Sequence, residues 1–158
     1  RIKSVADHVA FTKRHGNDVV VVVSAMGKTT DKLLSLANQV SDVLPGREMD
    51  MLLTTGERIS MSLLCIALAG IGVEAVSFTG SQAGIITDTV HTKAKISEIK
   101  GDRVREALAE GKVVVVAGFQ GVSTELQREF RCGNKHYYGK NQSLIFHHFH
   151  LAPHNQKS

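Results

Sequence analysis

Runs of β-branched residues that lack polar alternation are the clearest elements along the chain. Two such runs are residues 18–24 and 112–118, and the mainly apolar stretch 73–78 is predicted as a third strand. A strand with one face in water alternates apolar and polar residues, whereas a strand covered on both faces does not. The pattern therefore predicts three buried parallel strands, with a further short strand at 84–86.

Apolar residues between these strands recur every three to four positions, which is the period of a helix with one buried face. The stretches with this pattern, or with the composition of a helix, are 1–15, 30–43, 57–69 and 102–110. Thr29 or Thr30 is expected to cap the second helix through its hydroxyl group. Strands that alternate with helices predict a three-layer α/β/α sandwich with a mostly parallel sheet.

Glycine-rich turns follow the predicted strands, at the sheet edge where α/β proteins bind their ligands. In the first of them, Gly27 comes just before a predicted helix, an arrangement that aims backbone N–H groups and a positive dipole end at one spot. A Walker A loop is excluded because position 22, where that motif needs glycine, is Val22. The turn indicates either an anion site or an ordinary strand-to-helix turn.

Two further turns carry candidate ligand groups. The residues Thr54-Thr55-Gly56-Glu57 are predicted to form a turn before a helix, where Glu57 either compensates the helix dipole or binds a substrate ammonium group. After the third strand, the glycines of 118–121 would let the backbone approach a ligand, and Phe119 would form a wall beside it.

The composition is that of a soluble globular domain, with 42% hydrophobic and 22% charged residues. The net charge of +4 arises after residue 125, because residues 1–125 carry 14 basic and 14 acidic side chains. No known nucleic-acid-binding motif accompanies this charge. No apolar run approaches the roughly 20 residues of a membrane span, and Cys65 and Cys132 do not form a disulfide framework. We therefore expect a cytoplasmic protein without nucleic-acid or membrane partners.

Residues 126–158 differ in composition from the rest of the chain, since they hold five of the eight histidines and five of the eight aromatic residues. We interpret them as an unrelated tail that is frameshifted, truncated or disordered, and a genuine divergent tail is the alternative. His147, His150 and His154 would share a helical face and could chelate a metal. Pro153 interrupts that helix and no acidic or cysteine ligand lies nearby, so no metal site is expected.

Four blocks of the sequence resemble, in the same order, successive blocks of bacterial aspartokinase. They are Val20–Asp31, Arg47–Glu57, Phe78–Ile85 and Val116–Val122. The resemblance covers residues 1–125 and implies the amino-acid-kinase fold. It also implies an activity, the transfer of the γ-phosphoryl group of MgATP to the β-carboxylate of L-aspartate, the first step towards lysine, threonine and methionine.

The resemblance further implies roles for individual residues. The substrate-binding residues would be Ser24, Thr30, Glu57, Phe119 and Gly121. The phosphate loop would include Ala25, Gly27 and Thr29, and Gln82 and Gly84 lie in a family block near the same edge. Glu57 would pair with the ammonium group of L-aspartate. Members of this family form homo- or hetero-oligomers, often through ACT domains.

Two family elements have no counterpart in this sequence. One is an opening Lys-Phe-Gly-Gly-Thr-Ser-Val strand, whose lysine steadies the transferring phosphate, and the other is a later segment that provides an arginine and a serine to the aspartate. The nucleotide-binding half of the family also follows residue 125. We therefore expect no measurable turnover from this chain. The alternatives are a non-catalytic aspartate-binding or regulatory module, and another carboxylate kinase of the same fold.

Overall fold

A computed structural model describes residues 1–86 and 96–118, together with the backbone of residues 87, 120–123 and 131–132. Over these residues the chain forms four helices and seven strands. In chain order they are α1 (Ile2–Arg14), β1 (Val20–Val23), α2 (Thr29–Val40), α3 (Gly46–Ala69), β2 (Ala75–Phe78), β3 (Ile85–Thr87), β4 (Ile96–Ile99), α4 (Asp102–Ala109), β5 (Val113–Ala117), β6 (Gln120–Ser123) and β7 (Arg131–Cys132). Phe119 and the histidines at 147, 150 and 154 lie outside the described residues.

The three predicted buried strands form one parallel sheet in the order β1, β5, β2. Strand β5 occupies the centre, and all five of its residues are buried. Its uninterrupted Val-Val-Val-Val-Ala sequence therefore meets apolar neighbours on both faces, as the absence of polar alternation predicts. The prediction of three neighbouring parallel strands is confirmed.

Helices cover both faces of this sheet. On one face, α1 and α3 pack their buried side chains, among them Val9, Leu64 and Leu68, against alternate residues of β1 and β5. On the other face, Ala107 and Leu108 of α4 pack against β5 and the flanking strands. The three-layer α/β/α sandwich is thus confirmed, and α2 packs against α3.

Helix α3 is longer than the sequence predicts, and it removes one predicted turn. Thr54–Glu57 lies inside the helix, because the first turn begins at Gly46 after the extended Pro45. The Thr54 and Thr55 hydroxyls donate to the carbonyls of Met51 and Leu52, at 2.8 and 2.6 Å, and so find partners within the helix. The dipole interpretation of Glu57 was therefore wrong, since this residue lies near the middle of the helix.

Helix α3 is also, among the described residues, the helix whose length and apolar composition would suffice to cross a membrane. Its inner face packs on the parallel sheet and on α1. This packing is typical of a core helix in a globular domain.

The predicted threonine cap of α2 was wrong. Lys28 occupies the N-cap position without a side-chain hydrogen bond, and the helix begins at Thr29 itself. The Thr29 hydroxyl turns back to donate to the Met26 carbonyl at 2.7 Å, which the Thr29 N–H also contacts at 3.0 Å. The hydroxyl group thus stabilises the turn before the helix.

A second, mixed sheet has the order β4, β3, β6, β7. Strand β3 runs parallel to β6 and antiparallel to β4, and it corresponds to the short strand predicted at 84–86. The turn predicted after β5 was only partly correct, because Gln120–Ser123 is strand β6. Strand β6 pairs with β3, which is distant in the sequence. The glycines at 118 and 121 are more typical of a turn, so the sequence pattern did not indicate this strand.

Candidate functional site

The carboxyl ends of the three parallel strands coincide at one edge of the central sheet. Val23 pairs with Ala117, and Phe78 pairs with Val116, so Ser24 comes level with Gly118, and Thr79 comes level with Ala117. The Gly118 N–H donates to the Val23 carbonyl at 2.7 Å. A Cβ atom at Gly118 would lie 3.0 Å from the same oxygen. Glycine at this position therefore lets the end of β5 approach β1.

The turn between β1 and α2 forms the first wall of the candidate site. Gly27 has a φ of +55°, which favours glycine, and it reverses the chain between the strand and the helix. Ser24, Ala25 and Thr30 are half-buried in this turn. The first turn of α2 directs backbone N–H groups that lack an intrahelical acceptor towards this edge. An anionic group would be stabilised there by those N–H groups and by the helix dipole.

Helix α3 forms the second wall, and it carries buried polar side chains. The exposed fractions of Thr54, Glu57 and Ser60 are 1%, 6% and 3%. Gly56 contacts the first wall directly, since a Cβ atom there would lie 3.0 Å from Ala25 Cβ. A glutamate is almost never this deeply buried unless it is paired. Because Gly56 contacts this turn, the buried carboxylate of the next residue, Glu57, lies on the part of α3 that packs beside the turn.

The turn after β2 is the third part of this edge. The Thr79 N–H donates to Oε1 of Gln82 at 3.0 Å, and the Gln82 N–H donates to the Thr79 hydroxyl at 3.3 Å. Thr79 is buried and Gln82 is exposed. These reciprocal bonds close the turn, so the amide oxygen of Gln82 already has a structural partner.

Gly84 and Gly121 have identifiable structural environments. Gly84 has a φ of +75°, and a Cβ atom there would lie 3.0 Å from the Gly101 nitrogen. Gly121 lies in β6 and pairs with Arg131 of β7. Close packing therefore explains the glycine at Gly84, and strand pairing explains the position of Gly121. Neither explanation requires a contact with a ligand.

Cys65 lies on α3 and is half-buried. Burial raises the pKa of its thiol above the ordinary value, and a hydrogen bond with Ser77 of β2 opposes this effect. The thiol is thus protonated at neutral pH and is not a nucleophile there.

Within the described part of the chain, no three His, Cys, Asp or Glu side chains cluster as metal ligands.

Several residues that shape this edge were not singled out as site residues from the sequence. They are Thr54, Ser60, Thr79 and Gly118, of which Thr54 and Gly118 were named only as members of predicted turns. The signal for Thr79 was its position directly after a predicted strand, and the signal for Gly118 was its position at the end of one. The signal for Thr54 was its spacing of three residues from Glu57, which places both on one face only if the segment is helical.

The fold and the sequence together define the class of this protein. The sequence profile of the Amino acid kinase family matches residues 1–135. The chain belongs to the amino acid kinase family. The profile runs past the boundary predicted at residue 125, and that boundary stays a prediction.

Within this family, the chain is similar to proteins named aspartokinase. It is 60% identical to the aspartokinase of Mycolicibacterium smegmatis and 59% identical to that of Corynebacterium glutamicum, each over 125 residues. Both matches cover 79% of this chain and 30% of the relative, so the chain spans about 30% of the length of the curated relatives it matches. The predicted resemblance to aspartokinase is confirmed.

Solved structures agree with this result. The aspartate kinase from Synechocystis matches with a TM-score of 0.66 and 47% identity, over 84% of this chain and 21% of that one. E. coli aspartokinase III in complex with aspartate and ADP matches with a TM-score of 0.51 and 21% identity, over 66% of this chain and 24% of that one. At the latter identity, the likeness shows the fold alone.

Proposed function

We propose that this chain forms the aspartate-binding part of an aspartate kinase, which transfers the γ-phosphoryl group of ATP to the β-carboxylate of L-aspartate. The identity of about 60% to two aspartokinases supports this proposal. The observation that carries it is the direct contact of Gly56 with Ala25, because this contact brings the buried Glu57 to the turn between β1 and α2.

The reaction needs no general base. The β-carboxylate of aspartate has an ordinary pKa near 3.9 and is already ionised at neutral pH. Catalysis of its attack on phosphorus therefore rests on positioning and on neutralisation of charge. In this chain, the hydroxyl groups of Ser24 and Thr30 would orient the substrate. The N–H groups of Ala25 and Gly27 in the turn would stabilise the transferring phosphoryl oxygens, and Thr29 would hold the turn in place through its bonds to the Met26 carbonyl.

Glu57 would bind the ammonium group of L-aspartate. Removal of both charges from water strengthens their attraction, because the effective dielectric constant near the protein interior is lower than that of water. Ammonium recognition separates aspartate from a dicarboxylate of the same length, such as succinate. We therefore assign Glu57 the selection of the amino acid.

The remaining candidates receive weaker roles within the same proposal. Phe119 and Gly121 would border the substrate on the side of β5 and β6. Gln82 and Gly84 would keep the turn after β2 in place, as their contacts with Thr79 and Gly101 suggest.

Magnesium would arrive with the nucleotide. The described residues form no three-ligand cluster that would hold a metal by itself. Such a dedicated cage is not required, since proteins usually bind Mg²⁺ through nucleotide phosphates, water and one or two carboxylates. A cytoplasmic location, and assembly into homo- or hetero-oligomers through ACT domains, complete the proposal for the whole protein.

A titration of the 158-residue chain tests this proposal. We expect L-aspartate to bind at about millimolar strength, which corresponds to about −4 kcal/mol, and succinate to bind more weakly. Glu57→Gln should abolish the preference for L-aspartate, because loss of one partner of a buried charge pair costs about 2–5 kcal/mol. Glu48→Gln is the matched control, since Glu48 lies on the same helix with its carboxylate exposed.

Two outcomes would contradict the proposal. One is the absence of L-aspartate binding to the folded wild-type chain, and the other is an unchanged preference for L-aspartate over succinate in Glu57→Gln. A coupled ADP-release assay completes the test. A chain that spans about 30% of its relatives is expected to bind without turnover, and sustained ADP release would overturn that expectation.

A further inference from the structure

Gly56 lies inside a helix, where glycine is less favourable than alanine. Its surroundings explain the glycine: a Cβ atom would lie 3.0 Å from Ala25 Cβ, 3.3 Å from Thr29 Cγ2 and 3.5 Å from Leu33 Cδ1. Gly46, at the start of the same helix, has no neighbour within 4 Å of the corresponding position. The space that a side chain at position 56 would need is therefore occupied by the turn between β1 and α2 and by the start of α2.

This contact joins the two walls of the candidate site. Ala25 belongs to the turn that suits an anion, and Thr29 begins α2 directly after that turn. Gly56 directly precedes the buried Glu57. The Ser60 hydroxyl donates to the Gly56 carbonyl at 3.1 Å, which anchors the helix backbone at this point. The small size of Gly56 and Ala25 thus sets the distance between the turn and the helix that contains Glu57.

We propose that Gly56 and Ala25 are positioning residues, whose close contact sets the separation between Glu57 and the phosphate-binding turn. This inference rests on the proposed aspartate-binding function. Carbon atoms of different residues pack best at about 3.5–4.0 Å. An added methyl group at Gly56 would therefore move the two walls apart by about 0.5–1 Å, or would have to be compressed whenever a ligand draws the walls together.

The added methyl group can be compensated from the opposite side. Gly56→Ala introduces the clash with Ala25, and Ala25→Gly removes that Cβ atom, the nearest of the three carbon atoms that the added methyl group would meet. We expect Gly56→Ala to weaken L-aspartate binding roughly tenfold to a hundredfold, because the cost of an overpacked methyl group is met on binding. We expect the double variant Gly56→Ala/Ala25→Gly to recover affinity to within about threefold of the wild type. Gly46→Ala is the control, since its added methyl group meets open space.

The affinities can be measured on the full chain by NMR titration with L-aspartate, after circular dichroism has shown that each variant is folded. A Gly56→Ala variant with wild-type affinity would overturn the proposal. A folded double variant that binds no better than Gly56→Ala would also overturn it, because the contact itself would then not set the separation. If Gly56→Ala does not fold, Ala25→Val adds bulk to the same contact from the turn and is expected to weaken binding similarly.

A second readout separates this inference from the proposed function. Hydrogen exchange of the amides in residues 24–30 needs no ligand. Gly56→Ala should accelerate this exchange, and the double variant should slow it again, whereas unchanged exchange in Gly56→Ala would overturn the inference. A wild-type chain that binds no L-aspartate but shows this exchange pattern would refute the proposed function and retain the positioning contact.

Discussion

Leu68 offers a direct test of how α3 packs on the central sheet. Its side chain is fully buried, whereas Ile66, two residues earlier on the same helix, is 67% exposed. Leu68→Ala removes three carbon atoms, at about 0.8 kcal/mol for each. The close-packed sheet cannot collapse fully into the space left behind, so we expect a total loss of about 3–4 kcal/mol of unfolding free energy.

Urea denaturation followed by circular dichroism measures this loss. A domain of this size shifts its melting temperature by about 2–4 °C per kcal/mol, so thermal melting of Leu68→Ala should occur about 6–16 °C lower. Ile66→Ala is the matched control and should change the unfolding free energy by less than about 0.5 kcal/mol. The assignment of the inner face of α3 would be refuted if Leu68→Ala lowered the unfolding free energy by less than about 1 kcal/mol, or if Ile66→Ala lowered it more than Leu68→Ala does.

Two further predictions concern pH and the turn after β2. Because burial raises the pKa of the Cys65 thiol above its ordinary value, its contribution to stability is complete at neutral pH and is lost as pH rises through the pKa of the folded state. At alkaline pH the unfolding free energy should therefore fall less steeply in Cys65→Ala than in the wild type, and identical slopes would contradict this. Thr79→Val should accelerate hydrogen exchange at the Gln82 amide, because it removes the hydroxyl acceptor, whereas Thr79→Ser should preserve protection. Equal exchange in both variants would contradict the role of the hydroxyl group.

The central sheet was predictable from the sequence because its strands are chemically distinctive. Residues 113–117 and 20–23 carry valine almost without interruption, and only strands covered on both faces tolerate such a run. The parallel arrangement was predictable because a helix between two strands of one sheet usually returns the chain to the same end of the sheet. The second sheet was not predictable in the same way, since its strands are short and pair across residues distant in the sequence.

The middle of α3 was mispredicted for a local reason. Threonine and glycine in Thr54-Thr55-Gly56 have low helix propensity, and glycine costs about 1 kcal/mol relative to alanine. Tertiary packing overrides this preference, because the glycine permits the contact with Ala25 and the hydroxyl groups find carbonyl acceptors within the helix. The sequence pattern alone carries no information about that contact.

The location of the candidate site was more predictable than its internal geometry. The rule that ligands bind beyond the carboxyl ends of parallel strands identified the turn that contains Ser24 and Thr30. The deep burial of Glu57 within a continuous helix, and the reciprocal bonds of Thr79 with Gln82, depend on packing that only the folded chain defines.

In the proposed function, L-aspartate binds at the sheet edge between the β1–α2 turn and the middle of α3. Amide chemical-shift mapping of the isotopically labelled chain during titration with L-aspartate locates this site. We expect the largest changes at residues 24–30 and at Gly56 and Glu57. Changes confined to α4 or to the exposed end of α2, or no saturable change in the folded chain, would contradict it.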